Sequence, residues 1–266
     1  HHELYLSPQE ALNVIPSLPN MYDEPFADSS QIPTHLVSRF ARQHVTVALS
    51  GDGGDELLGG YNRYVRGPEI WNTLSVIPQP MRIPFAKLML ALHSGLITKL
   101  VPQGHSYLTK LVRKLGNYYE KIGTSTAEEF YLRLVAIYDE RSIVPGAQKL
   151  GLLPETKKLP ISFAEWMMLQ DALTYFPGDI MAKVDRASMA VSLETRTPFT
   201  DPELIAFAWQ LPLSHKIRDG KGKQILRDVL YRYVPRELLE RPKSGFSIPL
   251  GLWLRGGLKS WAGDLL

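Results

Sequence analysis

The spacing of hydrophobic residues in the first fifty positions predicts two helices followed by a strand. Ser7 and Pro8 are typical of an N-cap and a first helical position, and the helix that they start runs to about Ile15. The run Val45–Leu49 is short, β-branched and largely apolar, as is typical of a buried strand in a parallel sheet. Between them, from Ser29 to Gln43, a helix is predicted by apolar residues that recur every three or four positions, namely Ile32, Leu36, Val37 and Phe40.

A glycine-rich loop, Ser50–Glu56, follows the predicted strand, and beyond it we find helical spacing and no second convincing strand. If the stretch Glu194–Phe199 is extended, Glu194 and Arg196 share a face. The pattern predicts an α/β fold with part of a parallel sheet, predominantly helical in its carboxyl-terminal part. Helices are predicted near Phe85–Leu92, Tyr107–Leu115, Ala127–Tyr138, Phe163–Tyr175, Asp179–Val191, Pro202–Trp209 and Lys223–Tyr233.

Composition excludes several classes of function. The 266 residues contain no cysteine, which excludes thiolate nucleophiles, zinc–thiolate sites and disulfides. A net charge of +3 is too small to require a nucleic-acid or membrane partner.

The apolar window Ile83–Ile97 is shorter than the roughly 20 residues that cross a bilayer, and no export signal is visible, so we expect a cytoplasmic protein. His1 and His2 resemble a tag, and no Met begins the chain, so we expect a fragment.

The loop Ser50–Glu56 is the strongest chemical signal, because ligands of open α/β sheets bind beyond the carboxyl ends of strands. Its three carboxylates, Asp52, Asp55 and Glu56, would repel a bare phosphate. A magnesium ion resolves that conflict, since it takes one or two carboxylates and shares its remaining positions with polyphosphate and water. The alternative is a plain turn whose acidic residues complement a helix dipole. Spacing alone does not choose between the two interpretations.

Two further segments concentrate charge. Asp179, Lys183 and Arg186 fall on one face if their segment is an α-helix, and a solvent-exposed ladder of ion pairs explains this spacing as well as a functional site does. Lys243 lies in the basic, glycine-containing loop Arg241–Pro249 and suits a polyphosphate as a mobile point charge. An ordinary surface loop is the alternative for this second segment.

Taken together and in this order, these motifs resemble the synthetase domain of the glutamine-dependent asparagine synthetases, which are ATP pyrophosphatases. We therefore interpret residues 3–266 as the carboxyl-terminal portion of such a domain, with part of the PP-loop, adenine-nucleotide-hydrolase-like fold. The resemblance rests on Val47–Tyr61, Lys183–Met189, Glu194–Phe199, Lys243–Pro249 and Trp253–Arg255.

The resemblance implies that ATP activates a carboxylate as an acyl-adenylate and that ammonia then displaces AMP. By position, Asp55 would hold Mg²⁺ and Asp52 would lie beside the reacting acyl centre. Lys243 would neutralise charge on the α-phosphate and the departing pyrophosphate. Asp179 would help to transfer the proton of the incoming amine. The nucleotide would contact Ser50, Gly51 and Gly53. The site would be supported from outside by Lys183, Arg186, Glu194 and Arg196.

Three departures from the family pattern change these expectations. The chain lacks the glutaminase domain with its cysteine nucleophile, so ammonia must come from elsewhere. It also lacks the Ser-Gly-Gly-x-Asp-Ser pyrophosphate loop, so we expect weak or no turnover from these residues alone. The segment Asp23–Ser30 lacks the Thr-x-x-Arg motif that binds aspartate in the better-known asparagine synthetases. The sequence therefore does not determine whether the acceptor is aspartate or an analogue.

Two alternatives remain at this stage. One is intramolecular amide formation, as in the related β-lactam synthetases. The other is a non-catalytic scaffold whose basic sector, Arg82–Lys121, docks an acidic partner. The sequence leaves the oligomeric state open, with a homodimer as one outcome.

Overall fold

The computed structural model describes residues 2–84, 123–136, 153, 156, 159–240 and 248–265. The predicted helices Phe85–Leu92 and Tyr107–Leu115 lie outside the described residues, and so do residues 241–247 of the loop that carries Lys243. In chain order the helices and strands are α1 (Pro8–Leu12), a 3₁₀ turn (Ile15–Ser17), α2 (Leu18–Met21), α3 (Gln31–Arg42), β1 (Val47–Leu49), α4 (Gly54–Leu58), α5 (Asn62–Ser75), α6 (Ala127–Val135), α7 (Phe163–Leu173), a π-helix (Phe176–Met181), α8 (Ala182–Met189), β2 (Glu194–Arg196), a 3₁₀ turn (Pro198–Thr200), α9 (Pro202–Gln210), α10 (Leu213–Lys216), α11 (Gln224–Leu230), α12 (Arg236–Leu239), α13 (Leu250–Arg255) and α14 (Lys259–Leu265).

The chain divides into two compact units. The first contains His1–Leu58, Asp171–Pro212 and Gln224–Leu266, and the second contains Gly59–Gln170 and Leu213–Lys223. Both strands belong to the first unit, which also carries the candidate site.

Helix α1 confirms the predicted start at Ser7. The Ser7 hydroxyl accepts a hydrogen bond from the Glu10 backbone N–H at 3.2 Å, and the Glu10 carboxylate accepts one from the Ser7 N–H at 2.8 Å. This reciprocal capping box satisfies two backbone donors that the helix itself cannot. The helix ends at Leu12, earlier than predicted, and a 3₁₀ turn that includes Pro16 follows.

Helix α3 confirms the second prediction and contributes to one hydrophobic cluster of the first unit. Ile32 and Leu36 are buried against Ala11, Val14 and Trp253. Val37 does not lie on the buried face that its spacing predicted, because 45% of it is exposed to solvent. The other buried face of α3 packs against α8.

Strands β1 and β2 form a parallel pair with Val47 opposite Glu194, Ala48 opposite Thr195 and Leu49 opposite Arg196. The prediction of no second strand is therefore wrong. It failed because β2 has only three residues, two of them charged, and shows no hydrophobic alternation. The extended conformation of this segment and the shared face are confirmed, since Arg196 Nε donates to Glu194 Oε1 at 2.7 Å.

The burial predicted for β1 is also wrong. Val47 is 45% exposed and Leu49 is 76% exposed. Among the described residues β1 pairs with β2 alone, so its second edge and the face that carries these side chains lie open.

The second unit is built on an aromatic core. Phe130, which is fully buried, packs with Leu74, and Trp71 and Phe163 surround them. Within the described part of the chain, no helix is both long enough and apolar enough to cross a bilayer.

Arg82 occupies the interior of this unit and is only 7% exposed. Its guanidinium donates hydrogen bonds to the carbonyls of Ile77 at 2.8 Å, Thr124 at 2.9 Å and Ser75 at 3.3 Å. Arg82, the first residue of the basic sector, is therefore a buried structural group and does not face a docking partner. The sector's other basic residues lie outside the described residues.

Replacing Arg82 with methionine should destabilise the protein by about 2 kcal/mol or more, since several buried carbonyls lose a charged donor. Arg82→Lys should also destabilise, because an ammonium cannot reproduce the planar arrangement of donors. Urea denaturation measures both effects. The exposed Arg66→Met is the control and should change stability by less than about 0.5 kcal/mol; an equal effect at both arginines would contradict this role for Arg82.

A buried histidine makes the stability of the first unit depend on pH. His35 Nδ1 donates to the Ala187 carbonyl at 3.2 Å and so joins α3 to α8. Burial lowers the pKa of His35 below its usual value. As the pH falls, His35 therefore binds a proton in the unfolded chain before it does so in the folded chain. The free energy of unfolding should fall as pH drops below about 6.5.

His35→Gln should remove this penalty while keeping a donor for Ala187. The free energy of unfolding of His35→Gln relative to the unsubstituted protein should therefore rise between pH 7.5 and pH 5. Urea denaturation across this pH range gives the difference. His215→Gln, at an exposed histidine, is the matched control, and identical pH dependence in all three proteins would rule out the effect.

Candidate functional site

The loop between β1 and α4 begins with a short hydrogen-bonded turn. The Ser50 N–H donates to the Arg196 carbonyl at 2.8 Å, which extends the pairing with β2 by one residue. The Ser50 hydroxyl donates to Asp52 Oδ2 at 2.5 Å, and the Asp52 N–H donates back to the Ser50 oxygen at 3.3 Å. These bonds hold the Asp52 carboxylate just beyond the end of β1.

The loop turns into α4 at Gly53, whose φ of +88° disfavours residues with a side chain. A Cβ atom at Gly53 would lie 3.3 Å from both Phe176 and Phe199, and one at Gly54 would lie 3.2 Å from Phe199. The predicted glycine turn is thus packed from both sides. Gly51 differs, because no atom lies within 4 Å of the position that its Cβ would take.

Asp55 and Glu56 occupy the first turn of α4. Glu56 is 3% exposed and Asp55 is half-buried. Across the described residues, no three His, Asp or Glu side chains are grouped to hold a metal by themselves. The half-buried carboxylate of Asp55 is a donor of the kind that Mg²⁺ bound to a nucleotide accepts, because that ion needs one or two carboxylates and obtains its other oxygens from phosphate and water.

The segment that carries Asp179 is a π-helix, Phe176–Met181, and α-helix begins only at Ala182. The predicted single α-helical face is therefore wrong, since the wider π-turn breaks the three-to-four spacing. The ladder of exposed ion pairs is wrong as well. Lys183 is 9% exposed and pairs with Asp28, and Arg186 pairs with Asp185 at 3.1 Å and Asp23 at 3.8 Å.

Asp28 is the centre of a network that the sequence analysis did not identify. It accepts hydrogen bonds from Lys183 Nζ at 2.6 Å, from the Ser30 N–H at 2.8 Å and from the Ser30 hydroxyl at 2.7 Å. Burial opposes the ionisation of Asp28, but these donors outweigh it and hold the pKa of the carboxyl below its usual value. Lys183 is 155 positions away in the sequence, so no local spacing could have revealed the pair.

Asp179 lies beside Asp28 and is in the opposite protonation state at mild acidity. Burial, the negative charge of Asp28 and a hydrogen bond to Asp28 raise the pKa of Asp179 to about 6, although Lys183 acts in the other direction. Asp179 Oδ1 is buried and has no hydrogen-bond partner within the described residues. Below about pH 6 the pair therefore holds one proton, which resides on Asp179.

Tyr22 completes this environment. It is 9% exposed, and its hydroxyl is buried with no hydrogen-bond partner among the described residues. Burial and the charges of Asp28 and Asp179 raise the pKa of the phenol to about 12, so Tyr22 stays protonated. Its ring stacks on Phe26 at 4.9 Å.

Phe176 connects the two parts of the candidate site. It is the first residue of the π-helix, and it packs against Gly53 of the loop. The predicted residues Ser50, Gly51, Asp52, Gly53 and Asp55 thus share one loop, and Asp179 lies on the segment that supports this loop. Lys243 lies outside the described residues.

A comparison with protein families identifies the family to which this chain belongs. The family model described as "Asparagine synthase" matches residues 1–266, the whole chain. The chain belongs to the asparagine synthase family. This confirms the resemblance drawn from the loop and the later motifs.

Several curated relatives in the asparagine synthase family cover nearly the whole chain. A protein of Mycobacterium tuberculosis named "Putative asparagine synthetase [glutamine-hydrolyzing]" is 35% identical over 278 residues, which cover 98% of this chain and 39% of that protein. "Asparagine synthetase [glutamine-hydrolyzing] 1" of Bacillus subtilis is 33% identical over 261 residues, which cover 98% of this chain and 40% of that protein. A Methanocaldococcus jannaschii relative is 30% identical over 71% of the chain.

The chain thus spans about two fifths of the length of these asparagine synthetases. No solved structure matches the fold. The parallel pair and the helical remainder agree with the predicted α/β class, whereas the complete PP-loop fold stays a prediction.

The packing around Gly53 generates a test with a control in the same loop. Gly53→Ala should destabilise the protein by about 1–2 kcal/mol or more, because a side chain is strained at this φ and its Cβ would press on Phe176 and Phe199. Gly51→Ala has open space and should change stability by less than about 0.5 kcal/mol. Urea denaturation checks both, and equal stability of the two variants would contradict the packing described.

Proposed function

We propose that the full-length protein is an ATP-dependent ligase that amidates a carboxylate through an acyl-adenylate. A carboxylate oxygen of the acceptor attacks the α-phosphorus of ATP and pyrophosphate leaves. Ammonia then attacks the acyl carbon, AMP leaves, and the nitrogen loses a proton. The observation that carries this proposal is the loop Ser50–Asp55, which presents two carboxylates and an unobstructed Gly51 beyond a parallel strand, in a chain of the asparagine synthase family.

The nucleotide would be held by Ser50, Gly51 and Gly53. Open space at Gly51 supports this assignment, since a phosphate or ribose can approach a backbone that no side chain covers. The positive φ of Gly53 supports it too, because it directs the chain sharply from β1 into α4 and keeps the loop close to the strand end.

Asp55 would hold Mg²⁺, with Asp52 beside the acyl centre. The ion supplies electrostatic neutralisation of the phosphates, and it allows an acidic loop to face a polyphosphate. The Ser50 hydrogen bond would fix the orientation of the Asp52 carboxylate. Lys243 would add a positive charge on the α-phosphate and the departing pyrophosphate.

Asp179 would take the proton from the attacking amine in the second half-reaction. A carboxylate with a raised pKa is a stronger base than an ordinary aspartate and is still ionised at neutral pH. The partly buried position of Asp179, on the π-helix behind the loop, supports this role.

The acceptor would be aspartate or an analogue, with ammonia delivered by glutamine hydrolysis. The names of the relatives, which are glutamine-hydrolysing asparagine synthetases, support both. The 266 residues contain no cysteine to hydrolyse glutamine, so a glutaminase belongs to another part of the full-length protein or to a partner. A homodimer and a cytoplasmic location stay predictions.

Asp55→Asn in the full-length protein should reduce AMP release from MgATP, aspartate and ammonium by at least about 100-fold, a loss typical of a key electrostatic group. Gly51→Ala should reduce the same rate while preserving stability, which separates a binding defect from unfolding. The measurement is AMP formation with each of a panel of carboxylates.

The matched control is Asp264→Asn, which removes an exposed carboxylate on α14. It should leave the rate unchanged. Full activity of Asp55→Asn would contradict the magnesium assignment, and AMP release that needs no ammonia would favour an internal amine as nucleophile. We expect the 266-residue chain alone to turn over weakly or not at all.

A further inference from the structure

We propose that Asp28 is a positioning residue, which is fixed as a carboxylate by Ser30 and Lys183 and thereby keeps the shared proton on Asp179. This inference rests on the proposed function, in which Asp179 receives the proton of the amine. Asp28 itself touches no reacting atom in this proposal and acts through its neighbour.

Asp28 has several hydrogen-bond donors around it. Three donors point to this one carboxylate, namely Lys183 Nζ, the Ser30 N–H and the Ser30 hydroxyl, all within 2.8 Å. Hydrogen bonds to the charged form of an acid favour that form. Asp28 is therefore the member of the pair that stays ionised.

Asp179 differs from Asp28 in its hydrogen bonds. Its Oδ1 is buried without a hydrogen-bond partner within the described residues, and its side chain bonds to Asp28. Two carboxylates in contact cannot both ionise without a large repulsion, and a buried charge without donors is costly. The proton therefore resides on Asp179, which gives it up only when the pH rises above about 6.

Other titratable groups also lie near Asp179. Lys183 lies on α8, directly after the π-helix, but its ammonium is bonded to Asp28 at 2.6 Å. Tyr22 is neutral because its phenol has a raised pKa. Among the described residues, the titratable groups that act on Asp179 are Asp28, Lys183 and Tyr22, and of these Asp28 alone brings a negative charge.

The consequence is that Asp28 tunes the basicity of Asp179. With Asp28 ionised, Asp179 binds a proton more tightly than an isolated aspartate and so accepts one more readily from an ammonium-like nitrogen. Replacing the charge of Asp28 with a neutral amide would free Lys183 to pair with Asp179, and both changes weaken Asp179 as a base.

The test measures the protonation of Asp179 directly in the full-length protein. The carboxyl signal of Asp179 is isolated by difference infrared spectroscopy against Asp179→Asn, with ¹³C-labelled aspartate, and is followed from pH 4 to pH 8. Asp28→Asn should lower the midpoint of this titration by about one pH unit or more, the size of effect that a close like charge exerts. Ser30→Ala should shift it in the same direction by less, and Asp28→Glu should restore part of it.

The second readout is the pH profile of AMP release with L-aspartate, ammonium and MgATP. The acidic limb of the profile should move to lower pH in Asp28→Asn, in step with the infrared midpoint. Asp185→Asn, which removes an exposed carboxylate on the adjacent helix, is the matched control and should move neither readout.

The two readouts separate the two proposals. An unchanged infrared midpoint in folded Asp28→Asn overturns the role of Asp28. If that variant does not fold, Ser30→Ala decides the same question, and an unchanged midpoint in folded Ser30→Ala overturns the role of Asp28. A midpoint that moves while the acidic limb stays in place supports the role of Asp28 and contradicts the proton-accepting role of Asp179 in the proposed reaction.

Discussion

The ion pair between Lys183 and Asp28 is the interaction on which the candidate site depends. It joins the segment before α3 to α8, 155 positions later, and the lysine and aspartate side chains are only 11% and 22% exposed. Exposed ion pairs contribute about 0–1 kcal/mol, whereas removing one partner of a buried pair costs about 3–5 kcal/mol. This pair lies nearer to the buried class, and a few residues further on the His35–Ala187 hydrogen bond joins α3 itself to α8. The contact fixes the end of the π-helix and therefore the position of Asp179.

The loop after β1 obeys a different constraint, which is steric. Gly53 and Gly54 have no room for a side chain because Phe199 packs on both of them and Phe176 packs on Gly53. Gly51 has that room and leaves it empty. A single loop thus combines a packed half, which sets its direction, with an open half, where a nucleotide could approach. Phe176 belongs to both the loop packing and the π-helix, so the two parts of the site are positioned by one aromatic ring.

The two aspartates of the network illustrate how one residue type serves two purposes. Asp28 has three donors and is an anion, whereas Asp179 has an Oδ1 without a hydrogen-bond partner among the described residues and holds a proton to about pH 6. Their difference arises from the surroundings alone. The reaction that we propose needs a loop that tolerates the charge of a nucleotide and a carboxylate that accepts a proton, and the first unit contains candidates for both.

The local features of the fold could be predicted from neighbouring residues. The capping box at Ser7 and Glu10, helix α3 and the glycine turn at Gly53 follow from residues within a few positions of one another, and the motifs around them identified the family. The remaining features depend on contacts between segments that are far apart in the chain. Strand β2 is a strand because it pairs with β1. The segment that carries Asp179 is a π-helix and not the α-helical face that the spacing predicted. Asp28 is held as an anion by Lys183, which lies far along the chain. The physical reason is the same in each case: hydrogen-bond partners and burial depend on which distant segments meet, and spacing along the chain does not record that.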